Sequence, residues 1–257
     1  LLALKLLLVP AFLLMVSLAG RRWGPQVAGW LAGLPVVAGP ILFFLAVERG
    51  AGFAATASTL SLSAVLASVS FSLAFAHAGR RGAWWPALLA GLAAWALAAT
   101  ALARWPLPLG WALALSLATL WMAPRLFPAV APQPSGRAMG RGELLLRMAT
   151  GAGLTVGVTA AAAALGPAWS GLLAVFPVLG IVLAVFSHRS QGGGFAAALL
   201  RAMATGLYAF VAFCFVLALA LPAWGTGWAF SVATVASLAV QLATRGRVAV
   251  QRPQAAT

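Results

Sequence analysis

The sequence predicts an all-α polytopic membrane protein, a bundle of about nine transmembrane helices built as an inverted 4+1+4 internal repeat. Three observations lead there. First, 63% of the 257 residues are hydrophobic and only 7% charged, with a mean hydropathy of +1.03. A water-soluble domain is nearer half apolar and about a quarter charged, so lipid is the solvent for most of this surface. Second, the 16 Lys and Arg, against two Asp and Glu, fall mostly in the gaps between apolar runs. Third, one half of the chain lies over the other at a constant offset of 142 residues.

Nine apolar runs are long enough for helices, at roughly 2–20, 26–47, 52–77, 83–103, 107–123, 144–165, 168–187, 194–221 and 224–243. They are continuous rather than alternating, which disfavours strands. The fifth is short and bounded by Pro108 and Pro124, and Pro106 and Pro108 confine its link to the fourth to a tight hairpin. Segment 124–142, with Pro124, Pro128, Pro132, Pro134 and three arginines, reads as a linker. Arg21 and Arg22, directly after the first run, argue against a cleaved leader.

Placing the gap after the first helix in the cytoplasm puts 13 of the 16 basic residues inside and leaves Lys5, Arg49 and Arg104 outside. The positive-inside rule then gives an outside N-terminus and a cytoplasmic C-terminus, and the excess of Arg over Lys beside heavy Ala and Gly use points to a bacterial chain, hence the inner (plasma) membrane. Trp23, Trp84, Trp85 and Trp121 fall at inner span ends, and Trp105, Trp111, Trp169, Trp224 and Trp228 at outer ones, as interfacial belts would. The same loops attract anionic lipid at the cytoplasmic face. No basic helix or aromatic-basic module points to nucleic acid.

In the repeat, Gly24-Pro25 lies over Gly166-Pro167, Pro35-Val36 over Pro177-Val178, and Gly52-Phe53-Ala54-Ala55 over Gly194-Phe195-Ala196-Ala197. About thirteen of 34 positions in this stretch are identical. The chain divides into a first four-helix repeat (1–104), a linking helix with its linker (105–142), a second repeat (143–250) and a tail (251–257). An odd number of helices between the halves turns the second upside down relative to the first. Inverted repeats of this kind build many secondary transporters.

Each half carries a helix breaker near mid-span. Pro35 and Pro177 remove a backbone donor and clash with the carbonyl a turn earlier. Gly29, Gly33, Gly39 and Pro40 loosen the first site, and Gly171 and Gly180 the second. Paired interruptions in matching helices of inverted halves point to a binding site between them. Lys5 and Arg147 occupy equivalent positions. Glu48 can pair with Lys5, its counterpart in the second half is Ser190, and Arg147 has Glu143 one turn before it. Arg201 lies about eight residues into its run. These cations either snorkel to the interface or attract a negative headgroup or substrate. The serines of the third run, and Thr150, Thr155 and Thr159 beside Gly153-xxx-Gly157, read as helix-packing residues. His77 and His188 read as solvated loop residues.

No Asp or Glu sits at mid-membrane, which disfavours carboxylate proton coupling. No carboxylate pair, Ser/His/Asp set, metal-ligand spacing or phosphate loop is present, so the chain reads as no enzyme and calls for no cofactor or metal.

Ala28-Gly29-Trp30-Leu31-Ala32-Gly33-Leu34-Pro35, with Val47-Glu48-Arg49-Gly50 and the basic Lys5, resembles the small GlpM-like bacterial inner-membrane proteins. The likeness covers one helix and its flanks, and Ser190-Gln191 replaces Glu48-Arg49 in the second half. The resemblance implies a membrane location and a fused-duplicate origin, and no substrate. The residues together lead to a transporter moving a small anionic or lipid-like molecule by alternating access. A noncatalytic membrane assembly protein is the alternative, and a lipid-modifying enzyme the third reading.

Overall fold

The computed structural model describes residues 2–80, 82–129, 140–165 and 176–249, with side chains for all of these except 2–6, 141, 162–165 and 247–249. Among the described residues there are ten helices and no strands. They are α1 (Leu2–Trp23), α2 (Pro25–Ala32), α3 (Ala38–Arg49), α4 (Ala51–Ala78), α5 (Trp84–Arg104), α6 (Leu109–Leu126), α7 (Arg141–Leu165), α8 (Val178–Gln191), α9 (Gly193–Trp224) and α10 (Thr226–Ala249). Six of them, α4, α5, α6, α7, α9 and α10, are long and apolar enough to cross a membrane. This is the fold of a helical membrane protein.

The nine expected spans differ from this in one respect that matters for function. The run 26–47 is two helices, because the chain leaves the helical ladder over residues 33–37 around Pro35. At 12 and 14 residues, α3 and α8 rise only about 18 and 21 Å, short of the roughly 30 Å hydrocarbon core. The short fifth run is a helix of 18 residues, α6, which continues through Pro124 to Leu126.

Helix boundaries recur at the offset seen in the sequence. α3 ends at Arg49 and α8 at Gln191, and α4 begins at Ala51 and α9 at Gly193. The two junctions into the long helices share a backbone conformation. Gly50 has φ 90° and ψ 162°, and Gly192 has φ 90° and ψ 167°. That region is open to glycine and strained for other residues, so each link is a one-residue elbow.

α4 and α9 form the centre of the bundle and pack extensively on each other. They run antiparallel, since Gly193 at the start of α9 lies against Gly79 just after the end of α4. α1 and α7 are also antiparallel: Ser17 meets Arg147, and Leu13 meets Gly151. The core is drawn chiefly from the central pair, with Phe71, Phe75, Leu200, Leu217 and Leu221 fully buried. Leu97, Trp105, Trp111, Trp228 and Leu242 are among the exposed large hydrophobics, an outward face suited to lipid.

α2 lies in close backbone contact with α9. A Cβ at Gly29 would fall on the Leu199 carbonyl oxygen, and one at Gly206 on that of Trp30. One at Gly33 would lie 2.5 Å from the Leu207 nitrogen. Backbones approach this closely only between small residues. α10 secures the other side of α2, with Trp30 Nε1 donating to Thr244 Oγ1 (3.0 Å) and Gln241 Nε2 donating to the Trp30 carbonyl (2.9 Å).

Candidate functional site

A cavity of about 270 Å³ lies between the α2–α3 break and the start of α8. Gly33, Leu34, Val37 and Ala38 line it from the break, and residues 176–180 from the start of α8. The two prolines make the same backbone hydrogen bond. The Pro35 carbonyl accepts from the Gly39 amide (2.7 Å), and the Pro177 carbonyl from that of Ile181 (2.9 Å), positions again 142 apart. Neither proline can extend a preceding ladder, so α3 and α8 both start at the cavity wall. Their first turns leave orphan N–H groups, and the Ala38 and Gly180 amides have no backbone partner among the described residues.

Four hydroxyl residues, Ser61, Ser68, Thr155 and Thr159, supply the polar side chains of the described lining, and no charged side chain lines it. Ser61 donates to the Ala57 carbonyl (2.9 Å) and Thr155 to that of Gly151 (2.8 Å), so both oxygens keep lone pairs as acceptors. The rest of the wall is apolar, including Val65, Val158, Leu207 and Phe210. Such a chamber suits a mostly apolar molecule with one polar end.

The residues expected to form a site separate into groups. Gly33, Pro177 and Gly180 line the cavity, while Pro35 lies in the turn between α2 and α3 beside it. Gly29 belongs to the α2–α9 contact. Gly39 is buried near Phe213, and Pro40 is half-buried in the first turn of α3. Gly171 and the Lys5 side chain lie outside the described residues. Glu48 is exposed at the far end of α3 and makes no ion pair among the described residues. Arg201 is half-buried, with its Nε shielded and unpartnered.

Arg147 is 2% exposed and sits in a polar network rather than snorkelling. It pairs with Glu143 (2.7 Å), donates to Ser190 Oγ (3.3 Å) and Ser17 Oγ (3.4 Å), and lies over the Phe186 ring at 5.6 Å. The network ties α7 to α1 and α8. It sits about 12 Å along α7 from Thr155 and the cavity, eight residues at ~1.5 Å each. The offset already placed Ser190 at the position of Glu48, and that was the sequence signal for this contact.

Two sequence expectations are corrected. Gly153 and Gly157 are exposed with nothing near their Cβ positions, so α7 packs through Gly151 and Thr155, on the face toward α1. His188 is no loop histidine: its Nε2 donates to the Gly79 carbonyl (3.0 Å) and its ring stands edge-on to Phe75. The antiparallel approach of α9 to α4 encloses it. His77 is exposed, with Nδ1 at 2.9 Å from the Leu73 carbonyl.

Comparison with protein families, curated proteins and solved structures finds no match for the chain.

Proposed function

We propose that the chain is a carrier that moves a small amphiphilic anion, or a lipid-like molecule, across a bacterial inner membrane by alternating access between two inverted four-helix repeats. The observation carrying this reading is the cavity bounded by the α2–α3 break at Pro35 and by the start of α8 at the matching Pro177. Interrupted helices at membrane depth occur where irregular backbone lines a cavity, and in inverted-repeat transporters they form the substrate site. The repeat itself is supported by boundaries recurring at 142 residues and by the antiparallel pairing of α1 with α7 and α4 with α9. Corresponding elements of inverted copies have to point in opposite directions.

The substrate class follows from the wall. With no cation in the described lining, an inorganic anion has no partner for its full charge. The N-termini of α3 and α8 each present about half a positive charge and unpaired amides, enough for one carboxylate or phosphate end. The apolar remainder takes a hydrocarbon body. The charge distribution favours an outside N-terminus and a cytoplasmic C-terminus, with the Arg147 network at the inner end.

The test is uptake into proteoliposomes of a labelled medium-chain carboxylate, an alkyl phosphate and a lysophospholipid, under imposed ion and potential gradients. Flux that falls about tenfold or more in Ser61→Phe, which fills the cavity, is the expected result. Absence of flux for all three classes refutes the carrier reading.

A further inference from the structure

The two short helices bring their N-termini to one chamber from opposite ends of the bundle. α3 ends beside the start of α4, and α8 beside the start of α9, which lies against the far end of α4. α3 packs on α4 and α8 on α9. α4 is about 42 Å long, and the ~18 Å of α3 and ~21 Å of α8 together nearly equal it, so the two N-termini meet near mid-depth. Each presents free donors there. The Val37 and Ala38 amides of the first, and their equivalents Leu179 and Gly180 of the second, line the cavity and have no backbone partner among the described residues.

Two hydroxyl residues join them. Ser61 and Thr155 spend their protons on their own helices, but Ser68 and Thr159 make no hydrogen bond among the described residues. Ser68 lies about 15 Å before Ala78, at the C-terminal end of α4. Thr159 lies about 18 Å along α7 from Arg147, whose contact with Ser190 sets it at that same end. The start of α8 is about 21 Å from there. Both free hydroxyls therefore line the chamber close to the depth of the α8 N-terminus.

The chamber is also small. At about 270 Å³ it falls just below the roughly 300–1,000 Å³ usual for ligand pockets. An apolar cavity of ~150 Å³ holds one benzene, so this one has room for roughly ten non-hydrogen atoms. The two N-termini supply about half a positive charge each, which together match the single charge of a carboxylate. A phosphate monoester carries about −1.5 to −2 and is left part-compensated. We propose that the cavity binds a short single-chain monocarboxylate of octanoate size. The Val37–Ala38 and Leu179–Gly180 amides hold its carboxylate, Ser68 and Thr159 are the specificity-determining donors, and Val65, Leu207 and Phe210 take its hydrocarbon. The inference rests on the carrier reading for calling this molecule the substrate, and it narrows that substrate to one class.

The experiment reads binding separately from flux. The full chain in dodecyl maltoside micelles is titrated calorimetrically with octanoate, octyl phosphate and hexadecanoate, with empty micelles as the baseline. Octanoate is expected to bind at one site per chain, and the other two about tenfold or more weakly. Ser68→Ala and Thr159→Val are each expected to weaken octanoate by about tenfold or more, the loss of a hydrogen bond to a charged group. Neither hydroxyl holds a bond in the fold, so both variants should keep the parent's unfolding transition; should one fail to fold, the other and the probe series still decide. Ser231→Ala, exposed on α10 and outside the cavity wall, should bind octanoate as the parent does. No octanoate binding, equal affinity for octyl phosphate or hexadecanoate, or full affinity in a folded Ser68 or Thr159 variant overturns the proposal. Octanoate binding without flux leaves the site standing and sinks the carrier reading. Flux of an alkyl phosphate or lysophospholipid without octanoate binding does the opposite.

Discussion

Replacing Gly33 by alanine tests the backbone contact on which the position of the first helix break depends. The added Cβ would lie 2.5 Å from the Gly206 Cα and the Leu207 nitrogen, where ordinary contact begins near 3.4 Å. Both obstacles are backbone, so no side chain can swing aside, and α2 has to withdraw from α9 by about 1 Å. Overpacking of this kind costs about 1–3 kcal/mol. Gly33 is the C-cap of α2 rather than a helix-interior residue, so alanine's helix preference does not offset this loss. Gly153→Ala is the matched control, because nothing lies within 4 Å of its Cβ position. Equilibrium unfolding by titrating a denaturing detergent into mixed micelles gives both values on one scale. Gly33→Ala as stable as Gly153→Ala would refute the close approach of α2 to α9, and with it the geometry of the cavity wall.

Two further expectations are simpler. Ser116 is buried and its hydroxyl lies 2.8 Å from the Leu62 carbonyl of α4 and 2.7 Å from its own Ala112 carbonyl, so it bonds α6 across to α4. Ser116→Ala should cost about 0.6 kcal/mol and no more than ~1.7 kcal/mol in the same unfolding assay, the range for hydrogen bonds between membrane helices. For topology, an impermeant thiol reagent applied to intact cells should label Arg49→Cys and Arg104→Cys but not Arg80→Cys or Arg245→Cys, and the reverse pattern would overturn the assigned orientation.

Much of the helical layout was legible because lipid imposes a simple code: long uninterrupted apolar runs become helices, and proline interrupts them. The Pro35 break and the start of α8 at Pro177 follow from that chemistry. Packing faces were less legible. In a chain so rich in Ala, Gly and Leu, periodicity hardly separates a lipid-facing position from a buried one, since both are apolar. Hence the Gly153-xxx-Gly157 pattern points to a contact that Gly151 makes instead, and Gly206, the partner of α2, gives no sign of itself within a long apolar run. The burial of Arg147 was equally hidden. Its partners Ser17 and Ser190 lie 130 and 43 residues away, and only the repeat offset hints at the second.

The elbows at Gly50 and Gly192 have a mechanical consequence. With one residue between a short helix and the long one that follows, there is no slack to absorb relative travel. Pulling α3 along its axis drags the head of α4 with it, and α8 does the same to α9. Any movement of the chamber wall would therefore carry the central struts with it as a single crank, rather than as a flap swinging on a fixed frame.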